Sequence, residues 1–557
     1  MNTQPHDGNQ HGHHLHRGPT EHDVVAGNGG VDEFGYNQSL DRSIGKFASF
    51  AAGVSYISIL TGVFGLFYVG FGTGGPAYFW SWPMVFVGQL MVALCFAELA
   101  SHYPVAGSVY NWAKKLASAS TSWMAGWLLL TSSIVTIGSV ALAYQITLPQ
   151  IWSGFQMIGD GADPHDFTLN AVILAGVLIV FTTVVNAFGV RLTAVINSIG
   201  VFVELVAAVL LVIILAVHIK RGPGALLDTH GLGHGHSLGY FGVFLVASLA
   251  SLWVMYGFDT ASSLGEETKD PKRTAPRAII RAVTASFVLG GGILIFGILA
   301  APDLNDPKLG ESTGGLQYVI LELLGGTLGK LFLICIAIAI TVCALAIQAA
   351  AVRMVFAMAR DNNLPFGRWL AHVHPTRKTP TNASITTGVL AIVALVVMIT
   401  EPQINVVLSA IGIVLIYGSY LLVTAPMLRN RFKGMWPLAN RSTGEYSLGS
   451  SWGLIVNVMA VIWGVAMIIN LVWPRNDVYN PTDPHHWYLQ WSGVIIPVAL
   501  VIVGAAIYHL RIKHRSGVLA EHAAVPAGST IFAEPPASAP DPRTDPGLRG
   551  YVPPEPI

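Results

Sequence analysis

Long apolar runs, separated by short polar stretches, dominate the chain between residues 48 and 511. A helix that crosses a bilayer needs about 20 mainly apolar residues. Twelve runs are long enough, and we predict a membrane-spanning helix in each. These spans are 48–70, 77–100, 121–149, 168–187, 193–217, 239–264, 279–301, 327–358, 383–400, 403–427, 452–473 and 490–511.

The spans divide into two five-helix halves, 48–217 and 239–427, followed by two further helices in 452–511. Residues 1–47 are polar and His-rich and residues 512–557 are Pro-rich, so we predict a disordered tail at each end. Most Lys and Arg lie in loops on the side that carries both tails, which predicts that both termini are cytoplasmic. The first apolar run is too long for a signal peptide.

The composition supports a membrane protein. Only 11% of the 557 residues are charged and 53% are hydrophobic, whereas soluble domains carry about 25% charge. The 30 basic and 30 acidic residues cancel, so no basic field attracts nucleic acid. We expect a lipid bilayer and a small-molecule substrate as the partners.

The chain carries no sign of an enzyme or a metal site. Its 19 His lie in tails, in loops or at span ends, whereas a metalloprotease or a haem protein in the membrane needs His ligands inside its spans. Neither HExxH nor GxxxxGK[ST] occurs. We therefore predict no catalytic residues, no metal and no cofactor. Many spans with few polar groups inside them favour a secondary transporter.

Spans 1 and 6, the first spans of the two halves, each carry a helix-weakening Gly and several hydroxyls near mid-span. Transporters bind polar substrates where such helices are broken, because free backbone groups there cannot bond to lipid. A half-helix N-terminus suits a carboxylate, and free carbonyls suit an ammonium. The same residues also serve as close-packing contacts in membrane helices. The candidate substrate-binding residues are Ser58, Thr61, Gly62, Val63, Tyr256, Gly257 and Asp259.

Four stretches carry family-like motifs: Leu60-Thr61-Gly62-Val63-Phe64, residues 98–112, residues 257–279 and residues 353–365. Together they resemble the amino acid–polyamine–organocation superfamily, in its amino acid/choline-type (GABA-permease-like) branch. Leu60 and Ser108 stand where the family's motifs have Gly. The resemblance covers residues 45–515. It implies an all-α fold of two inverted five-helix repeats with broken helices 1 and 6, substrate binding on their backbone, and alternating access.

Glu204 is an acid inside span 5, where a charge costs about 2.5–3.5 kcal/mol on insertion scales. It is either a structural carboxyl or a group that relays protons or meets a substrate cation. In this fold sodium typically lies between helix 1 carbonyls and a hydroxyl pair on helix 8. Span 8 offers Thr341 without an adjacent hydroxyl. We therefore predict proton coupling or exchange, with Glu204 as the coupling residue.

Glu267 and Arg353 are the candidate gate residues. Glu267 belongs to a charged loop after span 6, and Arg353 lies near the inner end of span 8. An ion pair between them would latch the inner gate. The alternatives are a solvated loop and an arginine that snorkels to the interface.

The pattern as a whole predicts a plasma-membrane permease for amino acids or related amines. A polyamine, choline or ethanolamine carrier is the alternative within transport. A channel would require a ring of like residues from several subunits, and a receptor would require a folded domain outside the membrane. Neither feature is evident in the sequence.

Overall fold

A computed structural model shows a chain of helices. Within the described residues no strand occurs, apart from isolated bridges that join Tyr36 to Ala523 and Ile44 to Thr268. The all-helical class predicted from the sequence is confirmed. The structure describes residues 34–37, 40, 44–161, 163–234, 238–397, 399, 404–438, 445–479 and 485–523.

The helices of eight or more residues within these ranges are, in chain order, α1 Lys46–Ile57, α2 Ile59–Gly74, α3 Ser81–His102, α4 Ser108–Leu116, α5 Ala119–Ile151, α6 Pro164–Phe188, α7 Val190–Val217, α8 Gly239–Leu252, α9 Pro271–Ala300, α10 Gly315–Arg360, α11 Thr381–Val397, α12 Ile404–Phe432, α13 Ser451–Val472 and α14 Ser492–Ile512.

Ten helical segments of the described chain, with α1 and α2 counted as one, are long and apolar enough to cross a membrane. Two shorter apolar helices, α8 and α11, lie where the sixth and ninth spans were predicted. The sixth span was expected to continue to residue 264, but α8 ends at Leu252. The count of twelve crossings and the inverted repeat stay predictions.

Helix α7 shows how the sequence sorts its residues between protein and lipid. Asn197, Val201, Glu204, Ala208 and Leu211 recur at helical spacing and are all buried. Phe202 on the opposite face is 63% exposed. An apolar exposed face is what a hydrocarbon surrounding favours, so the helix turns its polar stripe into the bundle.

Helix α5 occupies the middle of the bundle, where it packs against α6, α10 and α12. It begins after Ser118, whose side chain accepts a hydrogen bond from the Thr121 N–H. Its 33 residues make it long enough to cross the whole bilayer. This position brings the middle of α5 close to α1, α2 and α10.

Parts of both predicted tails pack against the helices. The N–H of Asn37 donates to the carbonyl of His522 at 2.9 Å, and the N–H of Leu519 donates to the carbonyl of Arg360 at 2.8 Å. Phe34, Tyr36 and His522 are buried, because their rings find apolar and charged partners there. We call the end of the bundle that residues 34–37 and 516–523 cover the tail end. The remainder of both tails lies outside the described residues.

Candidate functional site

The first membrane segment is broken at Ser58. Its φ of 40° and ψ of 101° end α1 at Ile57 and allow α2 to start at Ile59. The sequence predicted a break among these residues, with Gly62 as the flexible position. Gly62 is helical instead, and a Cβ there would lie 2.5 Å from Cγ1 of Val254. Gly62 therefore serves close packing.

Glu204 reaches this break from α7. Its Oε1 accepts hydrogen bonds from the Ser58 hydroxyl at 2.8 Å and from the Leu60 N–H at 3.1 Å. Ser58 Oγ in turn accepts from the Thr61 N–H at 3.4 Å. A carboxylate therefore sits at the positive end of α2, where helix geometry favours negative charge.

The second break covers residues 253–259, between α8 and a short helix, Thr260–Ser263. Gly257 has a φ of 84°, a value that glycine adopts readily, and a Cβ there would lie 1.8 Å from Cδ1 of Tyr56. The sequence expectation of a break near Gly257 agrees with this geometry. The two breaks face each other, because Val254 and Trp253 pack on glycines of α2.

Asp259 is held by hydroxyl groups from two other helices. Tyr420 of α12 donates a short hydrogen bond to Oδ1, and Ser108 of α4 donates to Oδ2 at 3.2 Å. The same Tyr420 oxygen accepts from the Gly257 N–H at 3.0 Å. The Asp259 carboxylate, 3% exposed, therefore ties the second break to α4 and α12.

A narrow cavity of about 10 Å³, room for roughly one water molecule, lies between the two breaks. The lining residues therefore pack closely around it in this conformation. It is lined by α1, α2, α5, α10 and the second break. The lining residues are Tyr56, Ile57, Thr61, Gly62, Thr136, Val140, Trp253, Tyr256, Cys343 and Ile347.

Four polar atoms of the cavity lining have no hydrogen-bond partner within the described protein: Tyr56 Oη, Thr136 Oγ1, Trp253 Nε1 and Tyr256 Oη. All four side chains are at most 5% exposed. A buried polar atom without a partner costs about 1–3 kcal/mol. A polar occupant of the cavity would remove that cost.

The tail end is closed by buried ion pairs. Nε and Nη2 of Arg353 each donate a hydrogen bond of 3.1 Å to a carboxylate oxygen of Glu267. Arg360 makes a similar two-point pair with Glu266, at 2.6 and 3.1 Å. All four side chains are at most 4% exposed. The acids follow the second break and the arginines belong to α10, so these pairs tie two elements of the site together.

Tyr36 completes this closure from the N-terminal tail. Its ring lies 3.6 Å from the Arg360 guanidinium carbon, and its hydroxyl donates to Asp361 at 3.0 Å. Lys114 also pairs with Asp361, at 2.7 Å. Burial raises the pKa of Tyr36 well above its usual value, so the hydroxyl keeps its proton and remains a donor.

The structure brings most of the candidate residues together. Thr61, Gly62 and Tyr256 line the cavity, while Ser58 and Glu204 meet just beside it. Gly257 and Asp259 lie in the second break but outside the lining, and Val63 faces Gly290 of α9. Sequence reasoning missed the cavity residues Tyr56, Thr136, Trp253 and Cys343 and the tail-end residues Tyr36, Arg360 and Asp361. Helical periodicity could have marked Tyr56, Thr136 and Cys343 as buried, but the contacts of these residues are with elements far away in the chain.

The comparison with known families decides the identity. A family model described as amino acid permease matches residues 44–502. The chain belongs to this family. The match confirms the resemblance carried by the four motifs, and the family and its relatives are transporters, not enzymes.

Relatives of this permease come from plants, fungi and bacteria. Amino-acid permease BAT1 of Arabidopsis thaliana is 27% identical over 79% of this chain and 87% of its own length. Amino-acid permease 2 of Neurospora crassa is 25% identical over 86% of this chain and 87% of its own. Branched-chain amino acid permease BcaP of Bacillus subtilis is 28% identical over 62% and 72%. The similarity therefore includes both halves of the permease.

Proposed function

We propose that the protein is a secondary active transporter that moves amino acids across the plasma membrane by alternating access. The observation that supports this most is the pair of broken helices on one small cavity, in a chain of the amino acid permease family. The names of the relatives support amino acids as the substrate class, including branched-chain ones.

In this proposal the bundle has twelve crossings, with the first five and the next five related as inverted repeats. The tail end faces the cytoplasm, in accord with the Lys and Arg of its loops. The pairs Glu267–Arg353 and Glu266–Arg360 form the inner gate, which is shut in this structure. Opening requires that these pairs separate while the other end of the cavity closes.

The chemistry of the cavity favours a zwitterion over an organic cation. No carboxylate lines the cavity within the described residues, and Asp259 is already bonded to two hydroxyls. A polyamine would need acids around its several charges, which the described lining does not offer. A choline-type cation would need an aromatic cage, which Tyr56, Trp253 and Tyr256 supply in part. The lining hydroxyls favour an amino acid, because its carboxylate can accept their hydrogen bonds.

Counterflow into liposomes tests this proposal. Liposomes that contain the purified protein would be loaded with one unlabelled compound and then given the same compound in labelled form outside. The compounds are leucine, alanine, glutamate, arginine, putrescine, choline and ethanolamine. We expect exchange of one or more neutral amino acids, and none of the last three. Exchange restricted to the amines would overturn the substrate class, and no exchange of any compound by a folded sample would overturn the transport function.

We further propose that transport is proton-coupled or an exchange, with Glu204 as the titrating group. Thr341 is the one hydroxyl residue within 340–348 of α10, and it is already bonded to Tyr144 and to the Ala337 carbonyl, so it contributes little to a sodium site. Uptake is expected to persist when all sodium is replaced by N-methylglucamine. Strict sodium dependence would contradict this coupling.

A further inference from the structure

The start of α2 already holds a carboxylate that belongs to the protein. Leu60 donates its N–H to Glu204, and Thr61 donates its N–H to Ser58, so these two N–H groups of the first turn have acceptors. The Ser58 hydroxyl donates a hydrogen bond to the same Glu204 oxygen at 2.8 Å. The N–H groups at a helix start and the helix dipole together make a site for anionic oxygen.

Only one of the two carboxylate oxygens of Glu204 accepts hydrogen bonds from the described protein. Its second oxygen, Oε2, has no hydrogen-bond partner in the described part of the chain, although the side chain is 1% exposed. No basic side chain of the described chain pairs with it. Helices α1, α2, α6, α9 and α10 pack against α7, and the titratable group that they bring to Glu204 is the Cys343 thiol of α10. The helix end and two hydrogen bonds are therefore what stabilises its charge.

The donors that Glu204 occupies lie next to the cavity. Thr61 and Gly62, which follow Leu60, are both lining residues. Among the residues that the structure describes, no Arg, Lys or His lines the cavity. A substrate carboxylate in the cavity would therefore find its nearest matching donors at the start of α2, where Glu204 now sits.

We propose that the start of α2 is a carboxylate site that Glu204 and the substrate carboxylate occupy in turn. This inference rests on the proposed function. A hydronium ion of the solvent gives its proton to the Glu204 carboxylate and leaves as water. The hydrogen bonds from the Leu60 N–H and the Ser58 hydroxyl then weaken, because bonds to an ionised acceptor are about twice as strong as bonds to a neutral one. These two donors are released to the substrate. When the substrate leaves, Glu204 loses the proton and returns, so one proton accompanies one amino acid.

A test with acetate does not depend on the substrate. The variant Glu204→Ala leaves the donors free, and potassium acetate at 100 mM is expected to raise its unfolding temperature by at least about 2 °C over potassium chloride. The wild type should show no such rise. The matched control is Asn197→Ala, which removes another buried polar group from the same face of α7. An equal response in all three proteins would overturn the inference.

A second test uses Glu204→Gln, which keeps the size of the side chain and removes its charge. Leucine should bind the wild type roughly tenfold more tightly at pH 5.5 than at pH 7.5. The variant should bind leucine tightly at both values. The amine 3-methylbutylamine, which is leucine without its carboxylate, should show no such difference between the two proteins.

The outcomes separate the two claims. Suppose that an amino acid is exchanged, but acetate does not stabilise Glu204→Ala and leucine affinity is unchanged in Glu204→Gln. The inference of a shared carboxylate site is then wrong, and the proposed transport function is retained. If acetate stabilises Glu204→Ala but no amino acid is exchanged, then the carboxylate site stands and the proposed function is wrong. If Glu204→Ala does not fold, the Glu204→Gln measurements decide.

Discussion

Gly257 is the residue at which a single added carbon atom would change the site most. Its φ of 84° disfavours any other residue, and the space that a Cβ would need is filled by the ring of Tyr56. That ring stands edge-on to Tyr256, with centroids 6.2 Å apart. A larger residue would therefore displace two aromatic rings of the cavity lining.

We predict that Gly257→Ala lowers amino acid uptake in liposomes by at least about tenfold, since strain of roughly 1–3 kcal/mol falls on the site itself. The control is Gly176→Ala in α6, where a Cβ would meet nothing within 4 Å. Uptake by the control should match the wild type. Equal uptake by both variants would show that the second break tolerates a side chain.

Asp259 and Tyr420 act as one unit at the residue scale, because one hydroxyl joins the carboxylate to the Gly257 N–H. We predict that Asp259→Asn and Tyr420→Phe each weaken substrate binding and that the double variant is no worse than the poorer single variant. Binding measurements on the four proteins give the coupling directly. Independent, additive losses would mean that the two residues act separately.

At the scale of elements, the sequence predicted that spans 1 and 6 would be broken, but it did not predict which residue would leave the helical conformation. Hydroxyls and glycines near the middle of spans 1 and 6 predicted both breaks. The turn falls at Ser58 rather than at Gly62, because Gly62 and Gly65 are needed to admit Val254 and Trp253. Those partners lie about 190 residues away in sequence, so local propensity carries no information about them.

The loop after the second break shows the same limit. Glu266 and Glu267 are buried in ion pairs, whereas Lys269 of the same loop and Arg273 in the first turn of α9 are exposed. Their sequence neighbourhood is similar, and burial depends on the position of Arg353 and Arg360. The sequence therefore named Glu267 and Arg353 as a candidate ion pair, which the structure contains, and it left a solvated loop as the alternative. Their role as a gate stays a prediction.

The buried pair Glu267–Arg353 should contribute far more to the free energy of unfolding than the partly exposed pair Lys272–Glu445. Removing one partner of a buried pair costs about 3–5 kcal/mol, because the other charge stays buried. We predict that Glu267→Gln lowers the unfolding temperature strongly. The control is Lys272→Gln, which removes a lysine that is 33% exposed and leaves its partner Glu445 in contact with His102 at 3.1 Å. This change should cost about 0–1 kcal/mol. Similar shifts in both variants would contradict the prediction.

The C-terminal segment should respond to pH through His522. Burial, and then the charge of Arg360, lower the pKa of His522, while Glu521 and Glu266 oppose the shift. A lowered pKa means that the packed segment is favoured above the usual value of about 6.5 and loses this contribution as pH falls. After correction for intrinsic exchange rates, the backbone amides of residues 516–523 should therefore exchange faster at pH 5 than at pH 7.5.

The variant His522→Phe checks this assignment. A phenyl ring keeps the edge-on contact with Phe356, which has a centroid distance of 5.7 Å, and cannot be protonated. Its segment should show the same protection at both pH values. Persistent pH dependence in this variant would assign the effect to another group.

At the scale of the whole molecule, the tail end joins parts of the chain that are remote in sequence. Glu98 of α3 pairs with Arg431 of α12 and accepts a hydrogen bond from Trp436 at 3.0 Å. Lys114 of α4 pairs with Asp361 after α10. Neither the composition nor the hydropathy pattern distinguishes these residues from ordinary loop charges. The twelve apolar runs predicted the helices, and only three-dimensional packing could reveal how their ends are tied.

The bridge between Tyr36 and Ala523 brings the two ends of the described chain together beside Arg360, whose pair with Glu266 belongs to the inner gate that we propose. The distance between those two ends should therefore increase when the proposed gate opens. A fluorescent donor at residue 37 and an acceptor at residue 523 should show high energy transfer in the closed form. Transfer should fall in Glu267→Gln and remain high in Lys272→Gln, so the protein would report its own conformation without any label inside the membrane.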